Sequence, residues 1–599
     1  MRWRWPKRIA AALLFAAALA LATDALFPLP VEKLRPPFSP VVLDRDGKLL
    51  RAYLADDGAW RINKRLDELS PDLVRLVVAY EDRWFFRHPG VNPASLLRAL
   101  VQNLRAGRTV SGGSTLTMQV ARLIEPKPRT LAAKLVEAFR ALQIEARFDK
   151  REILELYFNL APYGGNLAGV GAGAFAYFGK DARELGLADA ALLAALPNSP
   201  SRTRPDRHPK AAGKARDKLL TILQRRGVVS APEAADAASA AVPARRVSMP
   251  ASAAHAADWL RTRYPERGVL PTTLDADIQR QAEALLRVHV ADLRRRGIDQ
   301  AAAVVIDSET GELQALAGSG DFFDESHHGQ VNGALAPRSP GSALKPFVYA
   351  LAMDRGLATP DTALVDTPTA YGAYSPENFD GQYRGLVPLR EALVWSLNVP
   401  AVGLVSRLGR DGLYPFLLRA GVTTLTRPES DYGLSMVLGG CEVNLLELSN
   451  LYAMLARGGE WRPVRVLADD PKRSGPHLIS PGAAYLLADI LVDLRRPDLP
   501  RAWRFAVNQP TVAWKTGTSY GHRDAWSIGY NRRWTVGVWA GNFSGAGAPE
   551  LVGSEAAAPL LFAIFNTLPG ASDAAWYAPP ATAAEREICP LSGQPAGPA

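Results

Sequence analysis

Three short motifs in the second half of the chain limit the folds that it can adopt. Ser342-Ala-Leu-Lys345 precedes Ser396-Leu-Asn398, and Lys515-Thr-Gly517 follows in a segment with the apolar pattern of a strand. A serine and a lysine three residues apart on a helix share one face, with Cβ atoms about 5–6 Å apart. One such tetrapeptide arises often by chance, whereas the ordered set of three predicts that a helix, a loop and a strand meet in one site.

The first two motifs contain the residue types that acyl transfer requires. Ser342 is the candidate nucleophile and Lys345 the candidate base, because a partly desolvated lysine can take the proton of a serine hydroxyl. The preceding Pro-Gly dipeptide places the serine near a helix N-terminus, where backbone N–H groups favour the negative charge of an oxyanion. Ser396 can relay a proton toward a leaving amine, and Asn398 can bind a peptide carbonyl.

The strand motif offers groups for a substrate carboxylate. Lys515 supplies a positive charge, and Thr518 can bind the same carboxylate while its N–H completes the oxyanion hole. Gly517 has no side chain, so a peptide substrate can approach the strand closely and pair with its edge. The Gly-x-Ser-x-Gly pattern occurs only at Gly517-Thr-Ser-Tyr-Gly521, inside the strand motif itself, so it gives no independent sign of a hydrolase triad.

The composition is that of a globular protein of several domains. At about 100–200 residues per domain, the 599 residues predict two to four domains. The formal net charge of +10 fits an anionic partner such as lipid head groups, or has no binding role. Beyond the short N-terminal segment 1–8, no dense basic run is interleaved with aromatic residues, which argues against nucleic acid. Cys441 and Cys589 form no CxxC pattern, so a zinc site is unsupported. We expect two free buried thiols, with a disulfide in an oxidising compartment as the alternative. His327-His328 is expected to be a polar loop.

The N-terminus has the charge pattern of a membrane anchor. Residues 1–8 are rich in arginine and lysine, and an apolar segment runs from residue 9 to 29 with a short interruption at Thr23-Asp24. Positive charge before an apolar run predicts a cytoplasmic N-terminus with the rest of the chain outside. We expect an uncleaved single-pass anchor over 9–29; a cleaved signal peptide is the alternative, since the strictly apolar part is short.

The rest of the pattern predicts two large domains. Residues 40–205 begin with an extended segment and then keep helical spacing, which indicates a mainly α domain. An Ala/Pro/Arg-rich interval over 206–270 is expected to be a linker after a few closing helices. Over 271–570, strands flank a helical block, which predicts an α/β domain with an antiparallel sheet. The tail, 571–599, carries no signal.

The second half resembles the penicillin-binding transpeptidases, which share a fold with the serine β-lactamases. The matching segments are Pro340-Gly-Ser-Ala-Leu-Lys-Pro-Phe347, Leu438-Gly-Gly440, Leu445-Leu-Glu-Leu448 and Lys515-Thr-Gly-Thr-Ser519. The resemblance implies that a D-Ala-D-Ala stem peptide acylates the serine and is then transferred to a neighbouring amine. It also implies inhibition by β-lactam antibiotics and no cofactor for this step.

The first half carries a pair of glutamates of the kind that sugar transfer requires. Glu81 ends a predicted helix. Glu137 lies three residues after Lys134 on another helix, so the side chains of Lys134 and Glu137 share a face. One carboxylate can activate a hydroxyl while the other group manages the leaving group. Arg122 and Arg129 would suit a pyrophosphate leaving group. Taken alone, Glu137 is typical of a solvated helix face.

Together these segments resemble the peptidoglycan glycosyltransferase domain of bifunctional penicillin-binding proteins, a mainly α, lysozyme-like fold. The matching segments are EDRWFFRHPGVN, GGSTLTMQ, KLVEAFRALQIE and KREILELYFN. The resemblance implies that Glu81 deprotonates the acceptor sugar hydroxyl. It further implies a set of residues for the phosphates of the lipid-linked donor, with Mg²⁺ as a candidate cofactor at Glu137: Ser114, Arg122, Arg129, Lys134 and Glu137.

Details of the sequence point to the 1C subtype of this family and to some departures from it. Ala161-Pro-Tyr-Gly-Gly-Asn166 and Gly521-His-Arg-Asp-Ala-Trp-Ser-Ile-Gly529 look like that subtype. Ala133 stands where an arginine is usual, and Met118 replaces the first glutamine of a usual pair. The further C-terminal β-domain of the subtype is expected to be missing.

The sequence therefore predicts a cell-wall synthase of the inner membrane with both catalytic domains in the periplasm. Its expected substrates are lipid II and nascent peptidoglycan. Two other readings stay open. The serine site could use water as acceptor, as in a DD-carboxypeptidase or β-lactamase, or both sites could be inactive in a scaffold or sensor.

Overall fold

The computed structural model describes residues 22–95, 98, 113–128, 130–498 and 509–589. Within these residues the chain divides into two compact units. The first comprises residues up to 41 together with 51–250 and 266–269, and the second comprises 42–50, 251–265 and the chain from 270 onward. No helix of the described residues is both long and apolar enough to cross a bilayer. The predicted anchor over 9–29 lies mostly outside them.

A short β-hairpin forms around the predicted turn at Asp46-Gly47. Its strands are β1 (Val41–Leu43) and β2 (Leu49–Ala52). The Asp44 carboxylate accepts the N–H groups of Asp46 and Lys48 at 2.9 and 2.7 Å, which closes the turn. Gly47 has φ +80°, a conformation that a side chain would strain.

The first unit is mainly α, as the sequence predicts. Its helices are α1 (Pro71–Glu81), α2 (Leu116–Ile124), α3 (Leu131–Glu145), α4 (Lys150–Leu160), α5 (Val170–Phe178), α6 (Leu187–Ala195), α7 (Pro200–Thr203), α8 (Pro209–Arg225) and α9 (Ala231–Ser239). Two short strands, β3 (Pro162–Gly164) and β4 (Leu167–Ala168), pair antiparallel after α4. Leu73, Leu76 and Val77 turn one face of α1 into a common apolar core.

The interval 206–270 differs from the linker that we expect from its composition. Leu219, Leu220 and Leu223 of α8 are fully buried in the core of the first unit, and Ala234 and Ala237 of α9 join them. Leucines that recur at helical spacing form the buried face of α8 together with Ala212, and alanines form the buried face of α9. The first unit thus continues to residue 250.

The second unit is built on a five-stranded sheet. The strands of this part of the chain, including those outside the large sheet, are β5 (Val269–Pro271), β6 (Gln300–Asp307), β7 (Leu313–Ala317), β8 (Ala363–Asp366), β9 (Gly385–Pro388), β10 (Ala513–Thr518), β11 (Asp524–Tyr530) and β12 (Trp534–Gly541). The large sheet has the order β10-β11-β12-β6-β7 with antiparallel neighbours. Strands β6 and β7 form the hairpin that was predicted around Thr310-Gly311. Strand β10 lies at an edge of the sheet.

Helices cover both faces of this sheet. The helices of the second unit are α10 (Ala254–Arg263), α11 (Ala276–Leu293), α12 (Lys345–Asp354), α13 (Leu389–Val394), α14 (Asn398–Leu408), α15 (Leu413–Arg419), α16 (Glu429–Tyr432), α17 (Leu445–Ala456), α18 (Pro481–Leu491) and α19 (Ala558–Phe565). A Cβ at Gly537 of β12 would contact Leu445 and Ser449 of α17, whereas one at Gly529 would contact Leu561 of α19. Since Gly529 is paired with the residue before Gly537, the two helices lie on opposite faces.

Candidate active sites

The first candidate site lies at the C-terminal end of α1, where Glu81 is the last helical residue. Its two carboxylate oxygens accept hydrogen bonds from Gln119 Nε2 at 2.8 Å and from Asn198 Nδ2 at 2.7 Å. Burial raises the pKa of Glu81; the two amide bonds oppose the rise, and the charge of Asp82 adds to it. Neutral amides orient the carboxylate without a counter-charge, so Glu81 can take up a proton.

Asp82 fixes the end of α1 to the start of α2. Its carboxylate accepts a hydrogen bond from His88 Nε2 at 2.9 Å and from the Leu116 N–H at 3.1 Å. Thr115 caps α2 by accepting the Met118 N–H at 3.1 Å. These contacts hold the Gly-Ser/Thr loop beside Glu81, so the loop and the carboxylate form one site.

A cluster of charged residues surrounds Ser114 of that loop. Arg122 donates to Glu137 in a bidentate pair, with Nε to Oε1 at 2.6 Å and Nη2 to Oε2 at 2.9 Å. Arg122 Nη2 also donates to Ser114 Oγ at 3.2 Å, and Lys134 Nζ donates to the same hydroxyl. Two cations on one hydroxyl make a suitable cradle for phosphate oxygens. Glu137 is only 7 % exposed, so the solvated helix face that its pattern suggests is wrong.

The structure brings together four of the five predicted phosphate-binding residues, while Arg129 lies outside the described residues. Met118, which departs from the family pattern, is fully buried in the core. Its neighbour Gln119 donates the hydrogen bond to Glu81. Ala133 is also buried. Neither departure therefore removes a described contact of the site.

Mg²⁺ at Glu137 stays a prediction. Both oxygens of Glu137 are engaged by Arg122, and no group of three or more metal-ligating side chains occurs in the part of the chain that the structure describes. A cation would have to replace the guanidinium or rely on substrate phosphates for most of its ligands. The residues present thus fit a charge-neutralised anion site better than a metal site, and no step below depends on a metal.

Sequence reasoning missed the two amides that hold Glu81. Gln119 is the last residue of the GGSTLTMQ segment but has no titratable group to draw attention. Asn198 ends a 3₁₀ turn, Leu196–Asn198, more than a hundred residues from Glu81. Only the tertiary fold brings that turn to the end of α1.

The second candidate site is organised by a turn that precedes α12. Ser342 lies in a 3₁₀ turn, Gly341–Leu344, and Lys345 is the first residue of α12. The Tyr452 hydroxyl of α17 donates to the Ala343 carbonyl at 2.7 Å, which holds the turn against α17. The Ser342 side chain, half-buried, makes no hydrogen bond with another described side chain, so its hydroxyl is available to a substrate.

Two glycines lock this turn onto the edge strand. A Cβ at Gly341, which has φ +53°, would overlap the backbone of Thr518, and a Cβ at Gly517 would overlap the Pro340 carbonyl. Gly517 is therefore required by the packing of β10 against the serine turn. This differs from the reason that the sequence suggests, which was room for the substrate.

Lys345 is a fully buried amine with neutral partners. Its Nζ donates to the Ser396 carbonyl at 2.5 Å and to Asn398 Oδ1 at 2.6 Å. Burial, reinforced by the charge of Lys515, lowers the pKa of Lys345 well below its usual range. A neutral amine has two N–H groups and one lone pair. Because two acceptors take the N–H groups, the lone pair is left to accept a proton.

Ser396 connects the two lysines of the site. Lys515 Nζ donates to Ser396 Oγ at 2.9 Å, and Lys345 Nζ lies 3.4 Å from the same oxygen. Burial lowers the pKa of Lys515 to about 7. Ser396 itself has φ +55°, a left-handed conformation that costs a non-glycine residue about 1–3 kcal/mol. The three motif segments thus meet in one hydrogen-bonded site, as the sequence predicts.

A second layer, which the sequence did not reveal, positions the Ser396–Asn398 segment. Asn378 Oδ1 accepts the backbone N–H of Asn398 at 2.8 Å, and Asn378 Nδ2 donates to Asp366 Oδ1 at 2.7 Å. Asp366 is fully buried and also accepts the Arg384 N–H at 2.9 Å. Asn378 and Asp366 carry no motif, and their roles depend on a loop that only the fold brings to α14.

The edge strand leaves its outer side for a ligand. Strand β10 pairs only with β11 in the described sheet. Thr518 Oγ1 accepts the Gly553 N–H at 3.1 Å, so its own hydrogen is free to bind a carboxylate. Carboxylate binding by Lys515 and Thr518, and the oxyanion role of the Thr518 N–H, stay predictions.

The sequence matches the family models for Transglycosylase over residues 46–224 and for Penicillin binding protein transpeptidase domain over residues 301–550. It is also 40 % identical to Penicillin-binding protein 1C of Escherichia coli over 93 % of this chain and 71 % of that protein. The chain belongs to the class A penicillin-binding proteins, of the 1C type. Within this class A chain, the first unit is the glycosyltransferase and the second the transpeptidase of peptidoglycan synthesis.

Other class A penicillin-binding proteins are also similar. Penicillin-binding protein 1B of Vibrio cholerae is 32 % identical over 82 % of this chain and 67 % of its own length. The crystal structure of Penicillin-Binding Protein 1A from Haemophilus influenzae aligns with a TM-score of 0.55 at 19 % identity, covering 94 % of this chain and 97 % of that one. The structural likeness supports the same fold.

Proposed function

We propose that this chain polymerises lipid II glycan through Glu81 and crosslinks stem peptides through Ser342. In the first step, Glu81 takes the proton of the acceptor sugar hydroxyl, whose oxygen attacks the anomeric carbon of the donor. The C–O bond to the lipid pyrophosphate breaks, and the leaving group moves to the cations around Ser114. The arrangement of one proton-accepting carboxylate beside an anion cradle supports this assignment.

In the transpeptidase, the neutral amine of Lys345 takes the Ser342 proton, and Ser342 Oγ attacks the penultimate D-Ala carbonyl. Ser396 passes a proton to the departing D-Ala, while Lys515 and Thr518 hold its carboxylate. An amine of a neighbouring stem peptide then attacks the acyl-enzyme and releases Ser342. The observation that carries this step is the buried Lys345 amine, which has only neutral oxygen partners. The same serine is the site at which a β-lactam would acylate the enzyme.

We also propose that the protein is anchored in the inner membrane with both domains in the periplasm. Leu26 and Phe27, at the end of the apolar N-terminal segment, are 73 % and 61 % exposed. The Phe27 carbonyl accepts a hydrogen bond from Arg140 Nη1 of α3 at 2.8 Å. On the same helix Leu135 and Leu142, seven residues apart, are exposed as well. Apolar side chains from both segments form a surface suited to lipid.

Two variants of the full chain test the assignment of the two sites. Ser342→Ala should abolish covalent labelling by a fluorescent penicillin and leave glycan polymerisation from lipid II unchanged. Glu81→Gln should lower polymerisation by at least about a thousandfold, and labelling should persist. Product analysis with a pentapeptide substrate separates crosslinking from hydrolysis: crosslinked dimer supports the proposal, and free D-alanine alone contradicts it.

A further inference from the structure

A π-helical turn packs against the strand that carries the Lys-Thr-Gly motif. It comprises Gly553–Ala557 and leads directly into α19, and the Ala558 N–H donates to the Gly553 carbonyl in the pattern that defines a π-helix. Such turns are rare, and they are frequent at functional sites. We propose that this turn orients the Thr518 hydroxyl toward the carboxylate of the substrate, with Gly553 and His289 as positioning residues.

The π-helical turn and the serine turn lie on opposite faces of β10. A Cβ at Gly517 would overlap the Pro340 carbonyl at the start of the serine turn. Because side chains alternate along a strand, Thr516 and Thr518 point to the other face. A Cβ at Gly553 would lie 2.9 Å from Thr516 Cβ, which places the π-helical turn on that face. The turn therefore reaches the site from the face opposite the nucleophile.

The Gly553 N–H determines where the Thr518 hydroxyl can point. It donates to Thr518 Oγ1 at 3.1 Å. An N–H group can only donate, whereas a hydroxyl can donate or accept. The N–H occupies a lone pair of the hydroxyl oxygen, so the hydroxyl hydrogen points away from the turn. A carboxylate can only accept hydrogen bonds, and the hydroxyl is thus held in the donating role that such a ligand requires.

Close packing requires a glycine at position 553. A Cβ there would lie 2.6 Å from the Trp526 carbonyl oxygen and 2.7 Å from the Gly517 carbonyl oxygen. Trp526 and Gly517 are register partners on β11 and β10, so the turn lies over this strand pair. Contacts this short with backbone atoms force a shift, and alanine would push the turn away from both strands. The Gly553 N–H would then move away from Thr518 Oγ1.

His289 holds the other end of the turn. It lies on α11, and its Nε2 donates to the Ala556 carbonyl at 2.7 Å. Since a carbonyl can only accept, the ring hydrogen is on Nε2. Burial lowers the pKa of His289, so the ring is neutral at neutral pH. Helix α11 also packs against α19, and the hydrogen bond therefore fixes the turn to the helical layer on this face of the sheet.

Anchoring on two sides gives the turn a definite position. Gly553 lies against the strands, and His289 connects the turn to α11. Hydrogen bonds weaken steeply when their angle departs from the preferred range, so the position of the turn affects the bond that Thr518 can offer. The inference rests on the proposed function, in which Thr518 binds the carboxylate. Gly553 and His289 act only through Thr518.

The second-order rate of Ser342 acylation tests the proposal in the full chain. It is measured with benzylpenicillin, which carries a carboxylate, and with its methyl ester, which does not. The readout is the ratio of the two rates, because a general disturbance of the site lowers both rates together. Thr518→Val should lower the ratio by about tenfold or more, and Gly553→Ala and His289→Leu should each lower it by about threefold or more.

Two further variants are matched controls. His289→Gln keeps an N–H donor for the Ala556 carbonyl and should keep the ratio of the parent chain. Gly482→Ala, in α18, adds a Cβ that makes only an ordinary contact with Thr582 at 3.5 Å, so its ratio should also be unchanged. If Gly553→Ala does not fold, the comparison of His289→Leu with His289→Gln decides.

Double variants show whether the effect passes through Thr518. Adding Gly553→Ala or His289→Leu to Thr518→Val should lower the ratio no further. An unchanged ratio in either folded single variant, or an additive loss in the double variants, would overturn the proposal. An unchanged ratio in Thr518→Val would instead overturn the carboxylate role of Thr518 itself, so failure of the proposed function is distinguishable from failure of this inference.

Discussion

The two catalytic sites hold ionisable groups of opposite sign in the same way. In the glycosyltransferase, Glu81 is bound by two neutral amides, and its pKa is raised. In the transpeptidase, Lys345 is bound by a carbonyl and an amide oxygen, and its pKa is lowered. Each environment favours the neutral form, which leaves each group close to exchanging a proton.

Groups that are proposed to keep their charge are treated differently. Glu137 has a bidentate arginine partner, and the pair encloses Ser114 together with Lys134. The hydrogen bond to Glu137 raises the pKa of Arg122, so the guanidinium keeps its charge. The contrast separates Glu81 and Lys345 from the Arg122–Glu137 pair; it does not extend to Lys515, which is proposed to bind a carboxylate although its described partners, Ser396 Oγ and the Thr516 carbonyl, are neutral.

The largest expected effect comes from giving the lysines of the transpeptidase a counter-ion. Ser396→Asp would place a carboxylate between Lys345 and Lys515, and aspartate tolerates the left-handed φ of this position. The carboxylate should raise the pKa of both amines, so Lys345 stays protonated at neutral pH. We expect the second-order rate of penicillin acylation at pH 7 to fall by roughly 10²–10⁴.

The rate of Ser396→Asp should recover as pH rises, because deprotonation restores the base. Ser396→Ala serves as the control: it loses the proton relay but leaves the amine neutral, so its rate should not gain this steep rise with pH. A pH-independent loss in the aspartate variant would contradict the role of Lys345.

A second change breaks the neutral environment of Glu81. Asn198→Asp replaces an amide that lowers its pKa by a like charge that raises it. Glu81 acts as a base only when ionised, so polymerisation falls as pH drops through its pKa. The acid limb of the pH–rate profile should therefore move up by about one unit or more. Asn166→Asp, an exposed change in the same unit, should leave the limb in place.

A third change leaves all ionisable groups in place and removes only a positioning residue. Asn378→Ala removes the acceptor for the Asn398 N–H and the partner of Asp366. A small displacement of the Ser396–Asn398 segment should lower the acylation rate about 10–100-fold. Asn566→Ala, on the surface, is the control, and glycan polymerisation should be unaffected in both. An unchanged acylation rate with normal folding would show that Asn378 does not position the site.

The smallest effect is expected at the charged pair. Arg122→Lys keeps the positive charge but loses the bidentate geometry with Glu137. The Arg122 side chain is 36 % exposed, so the free energy of unfolding should fall by only about 1 kcal/mol or less. Chemical denaturation measures that change; the KM for lipid II should rise more than kcat falls.

The sequence predicted the parts of this molecule that carry chemistry in compact motifs. Ser342, Lys345, Ser396, Asn398 and Lys515 lie in short segments whose residue types have few other uses in that order, and the structure brings the segments together. The antiparallel sheet followed from apolar strand segments and a turn at Thr310-Gly311. The mainly α character of the first unit followed from helical spacing.

The remainder required tertiary information. Asn198, Asn378 and Asp366 act through contacts with residues far away or on separate loops, and their residue types are common in ordinary turns. The predicted linker over 206–270 is too long, because composition outweighed the helical spacing of the leucines that α8 buries in the first unit. Burial decided the role of Glu137, and spacing on one helix could not reveal it.

The interlocked glycines at 341 and 517 have a consequence for drug resistance. Any side chain at either position would separate the serine turn from the edge strand. The contact between the turn and the strand is needed for the proposed reaction with the natural substrate as much as for acylation by an antibiotic. Substitutions that reduce β-lactam acylation while preserving cell-wall synthesis are therefore expected at positions other than these two. Those two positions make the site's inner wall a fixed target for inhibitors.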